Sequence, residues 1–294
     1  MALLEIIKKF IASHGSRMLR TNEFKVGITL EGKIINEFVG GVDYDEPKKC
    51  LERVLSSLEN QYLDDIVGRA TNENIAQYIF YQLKEVALHS LTVSEGEEQA
   101  VTIFQSDINF EDYPSQLHLN KGHSLLLRKK LDLAIEELDK AIELKRDFVE
   151  AYNLRGRCKK YLNRYDLALP DFLKAIEINP KFGEAYRNLG NAYYYLGKLD
   201  LAIPAFTKAI ELMPNSALSF NNRGFAYFAI EEFELALKDH EKAVLIDPNY
   251  AEAHYDRSMA LRKLGRKEEA EESLTESERL KQTGKDTYHD IKIY

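Results

Sequence analysis

From Ser115 onward, apolar residues recur at helical spacing, and the whole pattern then repeats every 34 residues. Five segments line up: 115–148, 149–182, 183–216, 217–250 and 251–284. Their eighth position reads Gly122, Gly156, Gly190, Gly224 and Ser258, and their twentieth Ala134, Ala168, Ala202, Ala236 and Ala270. The twenty-seventh reads Ala141, Ala175, Ala209, Ala243 and Ser277. Small residues at these places let two antiparallel helices approach closely, and alanine does so without loss of helix propensity. Pro180, Pro214 and Pro248 stand at the thirty-second position, where a helix must stop before the next unit begins. Asp166 and Asp200 fall where second helices start, as carboxylates at a helix N-terminus should. The pattern predicts five helix pairs stacked in register, with a polar last helix (Lys267 to Ser273) that can face water.

Before Ser115 the period changes. Phe24 to Ile35 alternates apolar and polar residues, the mark of a half-buried strand. Glu46 to Asn60 sets Cys50, Leu51, Val54, Leu55 and Leu58 on one helical face, with Asp45 and Pro47 as start signals. Thr71 to Lys84 is a second helix, with Ile75, Ile79, Phe80 and Leu83 inward. Strands follow at His89 to Glu95 and Gln99 to Phe104, with Gly96 in the turn. Ile6 to Ser13 is read as a first strand, although Leu3 to Ile7 also suits a helix. The order strand, strand, helix, helix, strand, strand predicts an α+β domain: an antiparallel sheet with two helices on one face. The expected organisation is a domain over 1–107, a junction over 108–114, an all-α superhelical solenoid over 115–284 and a tail over 285–294.

Composition narrows the functional classes. Lys and Arg number 40 against 48 Asp and Glu, a net charge of -8, which argues against electrostatic binding of nucleic acid. No apolar run reaches the roughly 20 residues that span a bilayer, so no membrane is expected as a partner. Met1 to Phe10 is too short and too charged for an export signal, and the chain holds only Cys50 and Cys158. The expectation is a reduced, cytoplasmic protein.

The 34-residue pattern over 115–284 resembles the tetratricopeptide repeat family. The resemblance implies a right-handed superhelix whose groove is lined by the first helix of each pair. Position six, which faces that groove in the family, reads Asn120, Leu154, Asn188, Asn222 and Asp256. An asparagine offers both a donor and an acceptor to a peptide backbone. Neighbouring groove positions add Asn153, Arg157, Lys160, Arg187, Asn191, Tyr194, Tyr195, Phe225 and Tyr255, and arginines beside aromatics suit a peptide with carboxylates and apolar anchors. Glu252 and Asp256 stand where the chaperone-tail clamp of some relatives carries cations, so that particular ligand is rejected.

The N-terminal segment resembles the 6-pyruvoyl- and 6-carboxy-tetrahydropterin synthases, which have the T-fold. The resemblance rests on Phe10 to His14, Phe24-Lys25-Val26, Leu58-Glu59-Asn60, Thr71 to Ile79 and Val93-Ser94-Glu95. It implies a zinc site of three histidines, of which only His14 is present; Arg20 and Asn22 occupy the other two places. The nucleophilic cysteine has no counterpart, and the Asp-His pair that activates it reads Glu59-Asn60. No catalytic residue and no cofactor, zinc included, is therefore expected. Thr71 and Glu95 match the positions that grip the pterin ring, and ring assembly in that family implies a homo-oligomer. The reading is a non-catalytic scaffold binding a peptide in its repeat groove, with a degenerate T-fold domain for oligomerisation. The alternative is a pterin-binding sensor or a divergent synthase-type enzyme.

Overall fold

The computed structural model describes residues 2–14, 20–32, 45–58, 72–82, 88–95, 99–104 and 111–286. It divides into two compact units, Met1–Arg146 and Asp147–Tyr294.

The first unit holds strands β1 (Ala2–His14), β2 (Arg20–Gly32), β3 (Leu88–Glu95) and β4 (Gln99–Phe104). They pair antiparallel in the order β1-β2-β3-β4. Ile6 stands opposite Ile28 and Val93 opposite Val101, with a register shift between Thr29 and Leu30 where β2 meets β3. Helix α1 (Asp45–Leu58) lies against β1, and α2 (Asn72–Gln82) against β3 and β4. Leu51, Leu55 and Leu58 on α1, and Ile75, Ile79 and Phe80 on α2, are buried, the spacing expected of one apolar face. Leu83, also expected inward, lies outside the described residues.

The first unit also contains the first helix pair, α3 (Tyr113–Leu127) and α4 (Leu131–Leu144). Tyr113 is buried and packs on Tyr81 of α2, ring centroids 4.8 Å apart. Burial and the neighbouring Tyr78 and Tyr81 hydroxyls push its ionisation far above the ordinary range. Asp112, just before α3, pairs with Lys145 just after α4 at 3.2 Å.

The second unit is four helix pairs: α5 (Val149–Tyr161) with α6 (Tyr165–Ile178), α7 (Gly183–Tyr195) with α8 (Leu199–Leu212), α9 (Ala217–Ala229) with α10 (Phe233–Ile246), and α11 (Ala251–Lys263) with α12 (Lys267–Thr283). The small residues explain the close approach. A Cβ added at Gly156 would lie 2.6 Å from the Phe172 ring, one at Gly190 2.6 Å from Phe206, and one at Gly224 2.8 Å from His240. The glycine at position eight is thus the socket for the large side chain at position twenty-four. Ala168, Ala202, Ala236 and Ala270 are fully buried, as are Ala175, Ala209, Ala243 and Ser277.

Between the two helices of each pair the chain reverses through a left-handed residue at position fifteen. It is Lys129 (φ 58°), Asn163 (57°), Gly197 (72°), Glu231 (65°) and Gly265 (75°) in the five copies. Only the glycines, and to a degree the asparagine, hold this conformation without steric cost.

Candidate functional site

The first helices of the second unit, α5, α7, α9 and α11, are sequential neighbours, each in contact with the next. Their shared face carries most of the residues singled out in the sequence, and it sorts them into two groups.

Asn153 and Asn188 are only 2% and 3% exposed. Asn188 Nδ2 donates to Asn153 Oδ1 at 2.9 Å, joining α7 to α5. Two copies on, Asn221 Nδ2 donates to Asp256 Oδ2 at 2.8 Å, joining α11 to α9. Asn221 Oδ1 also lies 2.8 Å from His240 Nδ1. Burial holds the His240 imidazolium form down to about 3, so the ring is neutral and its Nδ1–H donates to the amide. Asn153 and Asn188, expected to meet a peptide backbone, are instead spent on the seam between copies. Their spacing of 35, position five of one copy to position six of the next, is the sequence signal that marks such seams.

The second group stays open. Tyr195 is 60% exposed, Phe225 44% and Tyr255 42%. Tyr195 stacks on Tyr165 at 4.7 Å, meets Tyr194 edge-on at 5.4 Å, and Tyr194 in turn lies 5.3 Å from Phe225. Such offset and edge-to-face contacts are favourable for π-systems and leave one face of each outer ring free. Arg157, Arg187, Asn191 and Asn222 are half-buried along the same helices. In the first unit, Asn120 is half-buried and accepts from Gln116 Nε2 at 3.0 Å on its own helix.

The electrostatics differ along the face. Lys160 is drawn down to about 8 by desolvation and by the nearby Arg157 and Arg187 guanidinium groups, and its ammonium sits 4.7 Å over the Tyr161 ring. Asp256 is pushed up to about 7, by burial first, while the Asn221 bond and Lys281 act against the rise and Glu252 adds to it. Glu252 also acts on Tyr195, and Asp256 on Tyr194, so these carboxylates stand close to the aromatic run.

For the N-terminal candidates, Thr71 lies outside the described residues, as does the tail from Thr287. Glu95 ends β3, its backbone opposite Phe24 on one side and Gln99 on the other. The register sets His14 opposite Arg20 and Ala12 opposite Asn22. The three places of the family's zinc triad therefore offer an imidazole, a guanidinium and an amide. A permanent cation and a neutral amide do not make a zinc donor set, and the residues present do not fit the metal.

A repeated helix pair that buries small residues at the same places in every copy defines a helical-repeat protein. The tetratricopeptide repeat model matches 149–182, 183–216 and 217–250, and a second model of the same repeat matches 115–148 and 251–283. The chain belongs to the tetratricopeptide repeat family. The 6-pyruvoyl tetrahydropterin synthase model matches residues 12–106. Among solved structures, MamA residues 41 to the end from Desulfovibrio magneticus RS-1 is similar at 21% identity and a TM-score of 0.52, covering 58% of this chain and 96% of that one. Pseudomonas aeruginosa pilF is similar at 17% identity and a TM-score of 0.54, covering 62% and 90%. These likenesses concern the fold. No curated protein sequence matches the chain.

Proposed function

We propose that the chain is a protein-interaction scaffold that binds an extended peptide along the first helices of its repeats. The observation that carries this reading is the exposed row of Tyr195, Phe225 and Tyr255 on helices whose other large apolar residues are buried or half-buried. Aromatic side chains held by the fold yet open to solvent are the anchors most used in protein recognition. Arg157, Arg187, Asn191 and Asn222 would supply the polar contacts. Asn153 and Asn188 would set the spacing of the helices. Membrane insertion has no support, because no described helix is long and apolar enough to cross a bilayer.

A random peptide library displayed on phage and panned against the full chain tests the reading. Enriched peptides should bind at least tenfold more weakly to Tyr195→Ala/Phe225→Ala, whose melting temperature should stay near that of the parent. Leu245→Ala, at a 72% exposed position on a second helix, should leave binding unchanged. An absence of enrichment, or peptides indifferent to the double substitution, would remove the proposal.

The segment 1–107 would on this reading be a T-fold domain without synthase chemistry, serving as an oligomerisation base that multiplies the groove. A strictly monomeric mass by light scattering at micromolar concentration would dispose of that part. The match of the synthase model to 12–106 favours a second reading, a pterin sensor in which Glu95 and Thr71 grip the ring. Titration of pterins with Glu95→Ala as control separates the two.

A further inference from the structure

We infer that the last repeat binds a small monovalent anion, chloride in size, between Arg257 on α11 and Ser273 on α12, where other repeats carry a carboxylate of their own.

In the second unit, positions seven and twenty-three of a repeat meet across its helix pair. In the copy 149–182, Arg155 donates to Asp171 through Nη2 at 2.6 Å and Nε at 3.2 Å. In the copy 217–250, Arg223 donates to Asp239 through Nε at 2.7 Å and Nη2 at 2.8 Å. Both aspartates are almost fully buried. The copy between them has Leu189 and Ala205 at these positions, both buried, so cation and anion are replaced together there. The last copy is uneven. It keeps the cation as Arg257 and has Ser273 where the aspartate would stand.

The atoms at this place show the consequence. Arg257 Nε and Ser273 Oγ are both buried, and neither makes a hydrogen bond. Ser273 is 3% exposed, and among the described residues no ion pair engages Arg257. Glu269 stands one turn before Ser273 on α12, but its two oxygens accept from Arg266 Nε at 2.7 Å and Nη2 at 2.5 Å. A buried guanidinium N–H without an acceptor is costly, and a cation partly withdrawn from water favours a counter-ion.

Serine carries its Oγ where aspartate carries the carboxyl carbon, so the two oxygens that accept from Arg155 and Arg223 have no counterpart on Ser273. One halide ion has roughly their bulk, accepts from both the Arg257 Nε–H and the Ser273 hydroxyl, and supplies the negative charge. Sulfate is too large for the place of two oxygens. Arg257 as a whole is only half-buried, which leaves a way in from solvent. A water molecule accepts the same two hydrogen bonds without the charge, and it is the rival occupant.

The test uses the full chain at constant ionic strength, with sodium gluconate exchanged for sodium chloride or sodium sulfate. Chloride should raise the melting temperature of the parent by about 2 °C or more, as a ligand confined to the folded state does, and sulfate should not. The chloride nuclear resonance should broaden when parent protein is added. Ser273→Asp supplies the carboxylate internally, so its melting should be independent of chloride and most of the broadening should vanish. Arg257→Met should lose both responses, whatever its own stability. Ser273→Ala, which keeps the cation and drops one donor, should bind chloride about tenfold more weakly. A parent that melts alike in chloride and gluconate has water at this place, and the anion site is overturned. An equal response to sulfate, or a chloride response that persists undiminished in Ser273→Asp, overturns it as well, because the effect then belongs to the surface at large.

Discussion

Asn188 and Asn153 meet amide to amide at 2.9 Å, both almost fully buried, and so tie the first helix of one repeat to that of the repeat before. Asn221 and Asp256 make the corresponding tie two copies on, with the donor now on the earlier helix. An amide left alone in such a seam loses its partner and its water together.

Replacing Asn153 by Leu should therefore cost about 1–3 kcal/mol, because Asn188 is left unsatisfied. The pair Asn153→Leu/Asn188→Leu should recover a large part of that loss. Chemical denaturation of both variants checks it, and equal losses would show that the amides do not act as a pair.

The left-handed residue at position fifteen gives a second expectation. Lys129 and Glu231 hold φ of 58° and 65°, while Gly197 holds 72° with no atom within 4 Å of a built Cβ. Glu231→Gly should stabilise by about 0.5–1 kcal/mol, and Gly197→Ala should destabilise by about 1 kcal/mol. Nothing within 4 Å would crowd a Cβ at Gly197, so a lower melting temperature of Gly197→Ala reports backbone strain there.

A third concerns a partner missing by analogy. Arg155 with Asp171 and Arg223 with Asp239 are bidentate pairs separated by 16 residues. The same step from Arg257 arrives at Ser273, and Arg257 Nε and Ser273 Oγ are both buried without a hydrogen bond. Ser273→Asp should restore the pair and raise stability by about 1 kcal/mol. Ser273→Asn, which lacks the charge, should give a smaller gain in the same thermal melt.

Asp256 provides a pH dependence of known sign. Its folded value of about 7 lies above its ordinary 3.8. Its contribution is complete below pH 3.8 and is lost as pH rises through 7, where the buried carboxyl must ionise. Asp256→Asn keeps an acceptor for Asn221 and removes the charge. The variant should match the parent near pH 3.5 and exceed it at pH 8, with a ceiling of about 4 kcal/mol. Parallel melts across that range decide, and a constant difference at all pH values would refute the assignment.

Much of the helical architecture was legible in the chain because the residues that build it act sterically. Gly156 and Gly190 cannot be larger with Phe172 and Phe206 opposite, so the eighth position betrays itself in the first four copies. Helix α2 spans Asn72–Gln82 and buries three of the residues expected inward, Ile75, Ile79 and Phe80. The asparagines were harder. A single repeat shows that a polar residue sits on a face; it does not show that the next copy covers that face. Asn153 and Asn188 read as ligand contacts until the 35-residue step is considered, whereas Tyr195 and Phe225 protrude past their neighbours. Asn221 escaped notice for the same reason, since its partners Asp256 and His240 come from two other helices.

That 35-residue step has an evolutionary consequence. The seam joins position five of one copy to position six of the next, so any event that removes or adds a whole 34-residue unit preserves its register. Loss of 183–216 would bring Asn222 to the place of Asn188, opposite Asn153, and the severed bond would reform between two asparagines. Unequal recombination that removes this unit would therefore rebuild the seam it cuts, and the array could shorten by one whole repeat while keeping an asparagine opposite Asn153.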